Sequence, residues 1–427
     1  MKKNLHTLKT LPNGLKLVAS RMPYMESVSI GVWVALGGRY EEKRSCGISH
    51  FIEHMLFKGT LSRDARQLKQ AIEGVGGHIN AFTSEENTCY LVKVPSRHMA
   101  LAMDILSDMV KNPKMDAVEI ERERNVILEE IKMYKDQPAS YVHELLAQTM
   151  WPDHPLGRPL TGEEETVMGL DRTALAGVRQ RYYQPSGMSV VAAGCLEEDG
   201  FFKLCDKNLG ECAGAEILPF AGFRSGQKEP AVKLYYKDTE QINLAMGFHV
   251  FGRKDKRRHA LGLLNIILGG NMSSRLFEEL REKRGLCYDV ASSVKLYDET
   301  GAFFLHAGVD NGKVEETLAA VMNELSMISA HGISPDELAR AKEFAGGQFS
   351  MALEDTGTRM LWLGEKITNE AKIPEVNSVL RDIGAVKEDD VGALARYVFR
   401  TSALNVALIG GKQYLKEGRI RKVVGKA

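Results

Sequence analysis

His50-Phe51-Ile52-Glu53-His54 is the densest group of chemically able side chains in the sequence. On a helix, positions i, i+3 and i+4 share a face, so both imidazoles and the carboxylate converge on one point. Two imidazoles one turn apart can ligate a single Zn²⁺, and a carboxylate beside them can take a proton from water activated there. On the same helical wheel Phe57 joins His50, Glu53 and His54, while Ile48, Phe51, Ile52, Met55 and Leu56 cover the other side. Such a helix is expected to be buried along its apolar back. Two histidines and a carboxylate on the remaining face are then costly to desolvate unless an ion compensates them. His98, His249 and His306 stand alone on strands or helix ends and read as structural.

A catalytic zinc takes three protein ligands and keeps one position open. The run Glu119 to Ile131 supplies carboxylates, and helical phase separates them. Ile120, Ile127, Ile131 and Tyr134 define the expected buried stripe. Glu123 and Glu130 lie two turns apart along one edge of it, and Glu129 points to the opposite side, toward solvent. Glu130 is therefore the preferred third ligand, and Glu123 a carboxylate placed to orient a ligating histidine. Cys46, one turn before His50, is the alternative ligand. Two imidazoles and a carboxylate favour zinc over manganese or cobalt, at one ion per chain.

These residues need elements to hold them, and the sequence writes one plan twice. Val28 to Leu36 alternates as a strand, a polar turn comes next (Gly37 to Arg44), and an apolar helix runs from about Cys46 to Phe57. Ile242 to Val250 alternates likewise and leads through a basic turn, Arg253 to Arg258, into an apolar helix, His259 to Leu268. Charged amphipathic helices and further strands continue both halves. The expected fold class is α+β, with two structurally similar repeats, each a mainly antiparallel sheet packed with helices. The expected division is an N-terminal domain, 1–215, with the metal site; a linker, 216–229; and a C-terminal repeat, 230–427, without one. In that second half Arg257 to Leu264 carries one histidine and no carboxylate.

At 427 residues the chain suits two domains. Hydrophobic residues make up 44%, charged residues 26%, and the formal net charge is zero. No basic stripe with interleaved aromatics appears, which argues against nucleic acid as a partner. No apolar run is long enough to insert in a membrane, and the Met1-Lys2-Lys3 start lacks the apolar stretch of a signal peptide. A cytoplasmic location is expected. The six cysteines form no Cys-x-x-Cys pair and read as buried free thiols in a reducing compartment.

His50-x-x-Glu53-His54, with Glu123-x6-Glu130 further on, has the inverted zincin order and resembles the pitrilysin/insulinase family of zinc peptidases. Within it the sequence is most similar to the mitochondrial processing peptidase branch and its bacterial homologues. The resemblance extends over Asn13-Gly14-Leu15, Asn80-Ala81-Phe82-Thr83, His154 to Pro159, Tyr183-Gln184-Pro185 and Leu280 to Tyr288. It implies that His50, His54 and Glu130 bind zinc and that Glu53 is the general base in the hydrolysis of peptide bonds. It further implies that an extended peptide or presequence adds as a strand beside Asn80, Ala81 and Phe82. Arg281 and Tyr288 match a pair that holds substrate and the developing oxyanion, with Lys283 or Arg284 as alternatives to Arg281. Relatives close a chamber from four repeats and this chain supplies two, so a homodimer is expected. Two other roles exist among such proteins: a catalytically silent structural or assembly subunit, and a dedicated maturase of one partner peptide. The intact metal motif speaks against the first.

Overall fold

A computed structural model describes residues 5–212 and 219–425. Two compact units divide the chain, and neither is contiguous. The first runs up to Lys132 and adds Arg158–Ala221 and Phe349–Val376; the second combines Met133–Gly157, Gly222–Gln348 and the chain from Asn377 onward. Of the expected linker, residues 216–218 lie outside the described residues, and 219–229 carry neither helix nor strand.

In the first unit β1 (Thr7–Thr10), β2 (Lys16–Arg21), β3 (Ser27–Val34), β4 (His78–Thr83), β5 (Thr88–Pro95) and β6 (Met188–Gly194) form one sheet in the order β1-β2-β6-β3-β5-β4. Only β2 and β6 run parallel. In the second, β7 (Ala231–Tyr236), β8 (Ile242–Phe251), β9 (Cys287–Leu296), β10 (Thr300–Val309) and β11 (Leu404–Gly410) take the order β7-β11-β8-β10-β9, with β7 and β11 the parallel pair. Leaving out the short β1, the two sheets have the same order and the same directions. The repeated plan legible in the sequence is real.

Five helices back these sheets or carry functional side chains: α1 (Ile48–Leu56), α2 (Ala117–Asp136), α3 (Pro138–Met150), α4 (Arg258–Leu268) and α5 (Thr356–Glu370). One face of the first sheet offers Ile30, Val32 and Val34 to a core that includes Ile52 and Met55 of α1, Leu106 and Ile127. Each such side chain contributes about 1.5–3 kcal/mol when fully buried. The other face is covered by α5, whose Met360, Leu363 and Ile367 pack with Trp33, Val18 and Val191.

Strand β3 is consequently buried on both faces, where alternation alone suggests a half-solvated strand. The second sheet repeats the device: Leu145, Leu146 and Met150 of α3 pack against Ala245, Ala407 and Ile409. Each sheet is thus backed by a helix drawn from the other half of the sequence, which is why the compact units are not the stretches 1–215 and 230–427. A glycine makes room for that helix in both strands. A Cβ on Gly31 would stand 2.4 Å from Met360 Sδ, and one on Gly247 2.4 Å from Met150 Sδ.

Candidate metal centre

Helix α1 buries Ile48, Phe51, Ile52, Met55 and Leu56, as the wheel predicts, and leaves His50, Glu53 and His54 partly open on its remaining face. Its first turn departs from a left-handed N-cap, Gly47 at φ +92°, a conformation glycine adopts without strain. A Cβ at Gly47 would also meet Gly162 Cα and Thr161 O, both at 2.7 Å.

Helix α2 brings the carboxylates. Ile120, Ile127 and Ile131 are buried, so the stripe falls where phase places it, except that Tyr134 is 39% exposed and lies outside it. Arg124, 6% exposed, takes a place in the interior by donating to the Val167 and Leu170 carbonyls. Glu129 points to solvent and pairs with Lys132 at 2.7 Å. Glu130 faces α1: its Oε2 lies 3.8 Å from His50 Nε2 and 3.6 Å from His54 Nε2. Glu123 Oε2 lies 3.0 Å from His54 Nδ1, while its Oε1 pairs with Lys58 Nζ. Glu53 accepts a hydrogen bond from Thr83 Oγ1 at 2.5 Å.

Among the described residues, His50, His54 and Glu130 are the one group of three whose ligand atoms converge, all within 4.8 Å of one another. Ligands about 2.1 Å from a tetrahedral ion stand about 3.4 Å apart, so these side chains fit zinc with little adjustment. Glu123 at His54 Nδ1 leaves Nε2 free to ligate. Cys46 is not part of the group, because its thiol donates to the Pro159 carbonyl at 3.4 Å.

Electrostatics agrees. Burial, with His54 beside it, pushes His50 down to about 3, which keeps its imidazole neutral at physiological pH. Burial also raises Glu130, against the opposing pull of His54. Glu53 is raised by burial too, which Thr83 and His54 oppose and Glu130 reinforces. A neutral His50 imidazole beside two carboxyls held above their usual range by burial is an arrangement that a divalent cation would stabilise.

The other expected site residues lie on β4 and in the second unit. Asn80, Ala81 and Phe82 belong to β4, the last strand of its sheet, paired with β5 on one side only. Phe82 meets Trp33 edge-on at 5.6 Å, and Ala81 N–H donates to Asn80 Oδ1 at 2.8 Å. In the second unit, Phe277–Lys283 forms a π-helix. There the Arg281 guanidinium lies between the Phe277 ring at 4.7 Å and the Tyr288 ring at 4.8 Å, and Tyr288 is 79% exposed. Arg284 is tied to Glu279 at 2.7 Å, and Lys283 lies within 3.8 Å of both Glu278 and Glu279. His249 packs among Trp151 and Phe223, and His306 against His143, as structural histidines do.

Sequence reasoning did not single out Thr83 as a partner of Glu53, Lys58 as a partner of Glu123, or the buried charges Arg39 and Glu41 in the polar turn. Arg39 Nη1 donates to Glu86 at 2.6 Å, and its guanidinium stacks on Phe220. Glu41 accepts from the Gly47 and Ser49 amides at 2.7 and 2.8 Å. Burial raises its carboxyl to about 7, against those backbone hydrogen bonds.

Two repeated sheet-and-helix units, one carrying an inverted histidine–glutamate metal motif, define a metallopeptidase fold. Residues 16–164 match the model described as insulinase (peptidase family M16), and 169–344 match the peptidase M16 inactive domain. A zinc protease of Streptomyces coelicolor is 37% identical over 93% of this chain and 88% of its own. The zinc protease YmxG of Bacillus subtilis is 35% identical over 94% and 97%. Among solved structures, a protease from Helicobacter pylori superposes with a TM-score of 0.90 at 22% identity, over 95% of this chain and 99% of that one. A peptidase M16 inactive domain from Pseudomonas fluorescens gives 0.88 at 18%, over 96% and 99%. At those identities the two structures establish the fold. The chain belongs to the insulinase family of metallopeptidases.

No helix among the described residues is long and apolar enough to cross a membrane.

Proposed function

We propose that the chain is a zinc endopeptidase in which His50, His54 and Glu130 hold one zinc ion and Glu53 is the general base. The observation that carries this is the convergence of those three ligand atoms beside a carboxyl from the same turn of α1. Zinc, when bound, supplies Lewis-acid activation of water and of the scissile carbonyl. Glu53 takes the proton from the attacking water and returns it to the amine that leaves, so the cleaved bond gains one water. Its raised affinity for a proton suits both transfers, and the Thr83 hydroxyl keeps the carboxylate aimed. Glu123, bonded to His54 and Lys58, fixes the tautomer of that ligand.

An extended peptide is the substrate, adding as a strand to the open side of β4 at Asn80, Ala81 and Phe82. Main-chain pairing there gives affinity with little sequence demand. Of the three candidate cations in the second unit, Arg281, with Glu282 at 3.8 Å, is the one held against aromatic rings and the one suited to hold substrate. Lys283 and Arg284 are engaged with Glu278 and Glu279, whereas two aromatic rings preorganise Arg281. A homodimer completes the chamber, and the compartment is the cytoplasm.

The test is hydrolysis of an unstructured basic peptide by zinc-loaded protein and by Glu53→Gln, with zinc content measured for both. Cleavage by the native chain, with retained zinc and rates lower by about 10²–10⁴ in the variant, supports the reading. Absence of cleavage across a broad peptide set would replace it with a structural subunit or a partner-dependent maturase.

A further inference from the structure

The turn that leads into α1 places a carboxylate where a helix start needs an anion. Glu41 is 6% exposed, and its two oxygens are divided between two backbone donors. Oε2 accepts from Gly47 N–H at 2.7 Å and Oε1 from Ser49 N–H at 2.8 Å. Amides of a helix's first turn have no acceptor within the helix, and the N-cap glycine has no side chain to supply one.

Glu41 is itself held, since Arg158 Nη1 donates to its carbonyl at 3.0 Å. The chain after Arg158 grips the same turn from another side. Pro159 accepts from Cys46 Sγ, Thr166 Oγ1 donates to Cys46 O at 2.8 Å, and Gly162 packs against Gly47. The residue after Ser49 is His50, and Glu53 and His54 come within the next turn.

We propose that Glu41 is a positioning residue for the metal centre. By fixing the first turn of α1 it sets the register in which His50 Nε2 meets Glu130. The inference rests on the metal-binding reading of His50, His54 and Glu130.

Both oxygens of the carboxylate are used, so an amide cannot substitute for it: Glu41→Gln keeps one acceptor and turns an NH₂ group toward a backbone N–H. Zinc affinity, measured by competition with a chromophoric chelator, is expected to fall about 10- to 100-fold in Glu41→Gln. The visible spectrum of the cobalt-substituted variant is expected to shift, and Glu41→Asp, which keeps the charge, to recover part of both. Leu363→Ala, a core change in the same unit but in the cluster on the face of the sheet away from α1, separates this from general destabilisation: it is expected to lower the melting temperature and leave zinc affinity and the cobalt spectrum as in the native chain.

Folded Glu41→Gln with zinc affinity within twofold of the native chain and an unchanged cobalt spectrum overturns the proposal. So does an equal loss in Leu363→Ala. Should Glu41→Gln fail to fold, Glu41→Asp carries the test: a several-fold loss of affinity with a shifted cobalt spectrum supports the proposal, and native values for both overturn it. A native chain that binds no zinc removes the metal-centre reading itself, an outcome distinct from either.

Discussion

His54 receives its geometry from a residue that touches no substrate. Glu123 is 5% exposed; burial disfavours its charge, yet the hydrogen bonds with His54 and Lys58 hold its carboxyl below the ordinary range. An ionised acceptor at Nδ1 keeps the proton on that nitrogen and the lone pair on Nε2, facing Glu130. Glu123→Gln can still accept from Nδ1 but carries no charge, so zinc affinity is expected to drop about 10- to 100-fold, less than for His54→Ala. A chelator competition series across the two variants checks the order. Helical phase read from the sequence separates Glu130 from Glu129 because both belong to one helix with a strong apolar stripe. It fails at Tyr134, near the helix end, where that stripe no longer faces the core. Thr83, Lys58 and Glu41 were not legible in the same way. Each acts through a pairing that only the tertiary fold creates, and a charged residue in a polar turn looks solvated until its backbone partners are known.

At the scale of elements, the strands and the metal helix derive from periodicity, and the exchange of helices does not. Periodicity says which face of β3 is apolar; it carries no information on which helix covers that face. Trp33 and Gly364 show how closely α5 lies on β3: a Cβ at Gly364 would stand 2.0 Å from the indole Nε1. Gly364→Ala is therefore expected to cost about 1–3 kcal/mol, as overpacking of a filled site does, and denaturant unfolding of the variant measures it. A different contact fixes the start of the helix Pro335–Ala352 within the second unit. Arg275 donates to both oxygens of Glu337 at 2.7 and 2.9 Å, and Ser334 N–H adds a third bond at 2.8 Å. Burial opposes ionisation of Glu337, but these bonds outweigh it and hold the carboxyl at about 2 against an ordinary 4.5. A folded-state value below the unfolded one stabilises above pH 4.5, and that contribution is lost as pH falls from there toward 2. Glu337→Gln is expected to lose about 2–3 kcal/mol at pH 7 and to converge on the native chain only as pH falls to about 2. Unfolding midpoints at the two pH values decide it.

For the whole molecule, the two sheets share a topology and differ in what one helix carries. Helix α1 carries His50, Glu53 and His54; its counterpart α4 is apolar, with His259 as its single histidine. All three candidate ligands belong to the first unit, so zinc binding is coupled to the folding of that unit and adds nothing directly to the second. A ligand that binds only the folded state stabilises it by RT ln(1 + [L]/Kd), about 2.7 kcal/mol when zinc stands at 100 times its Kd. Removing zinc with a chelator is therefore expected to raise amide exchange across α1, α2 and β3 in hydrogen-exchange mass spectrometry, with β8 and β10 little changed. His50→Ala is expected to reproduce that exchange pattern and to make the protein insensitive to the chelator. Because the ligands must be deprotonated, the stabilising effect of zinc is expected to fade as acid protonates them. Equal loosening of both sheets on chelation would mean that the units unfold as one cooperative body. Loosening confined to the first sheet would mean that the metal governs only the half that carries the site.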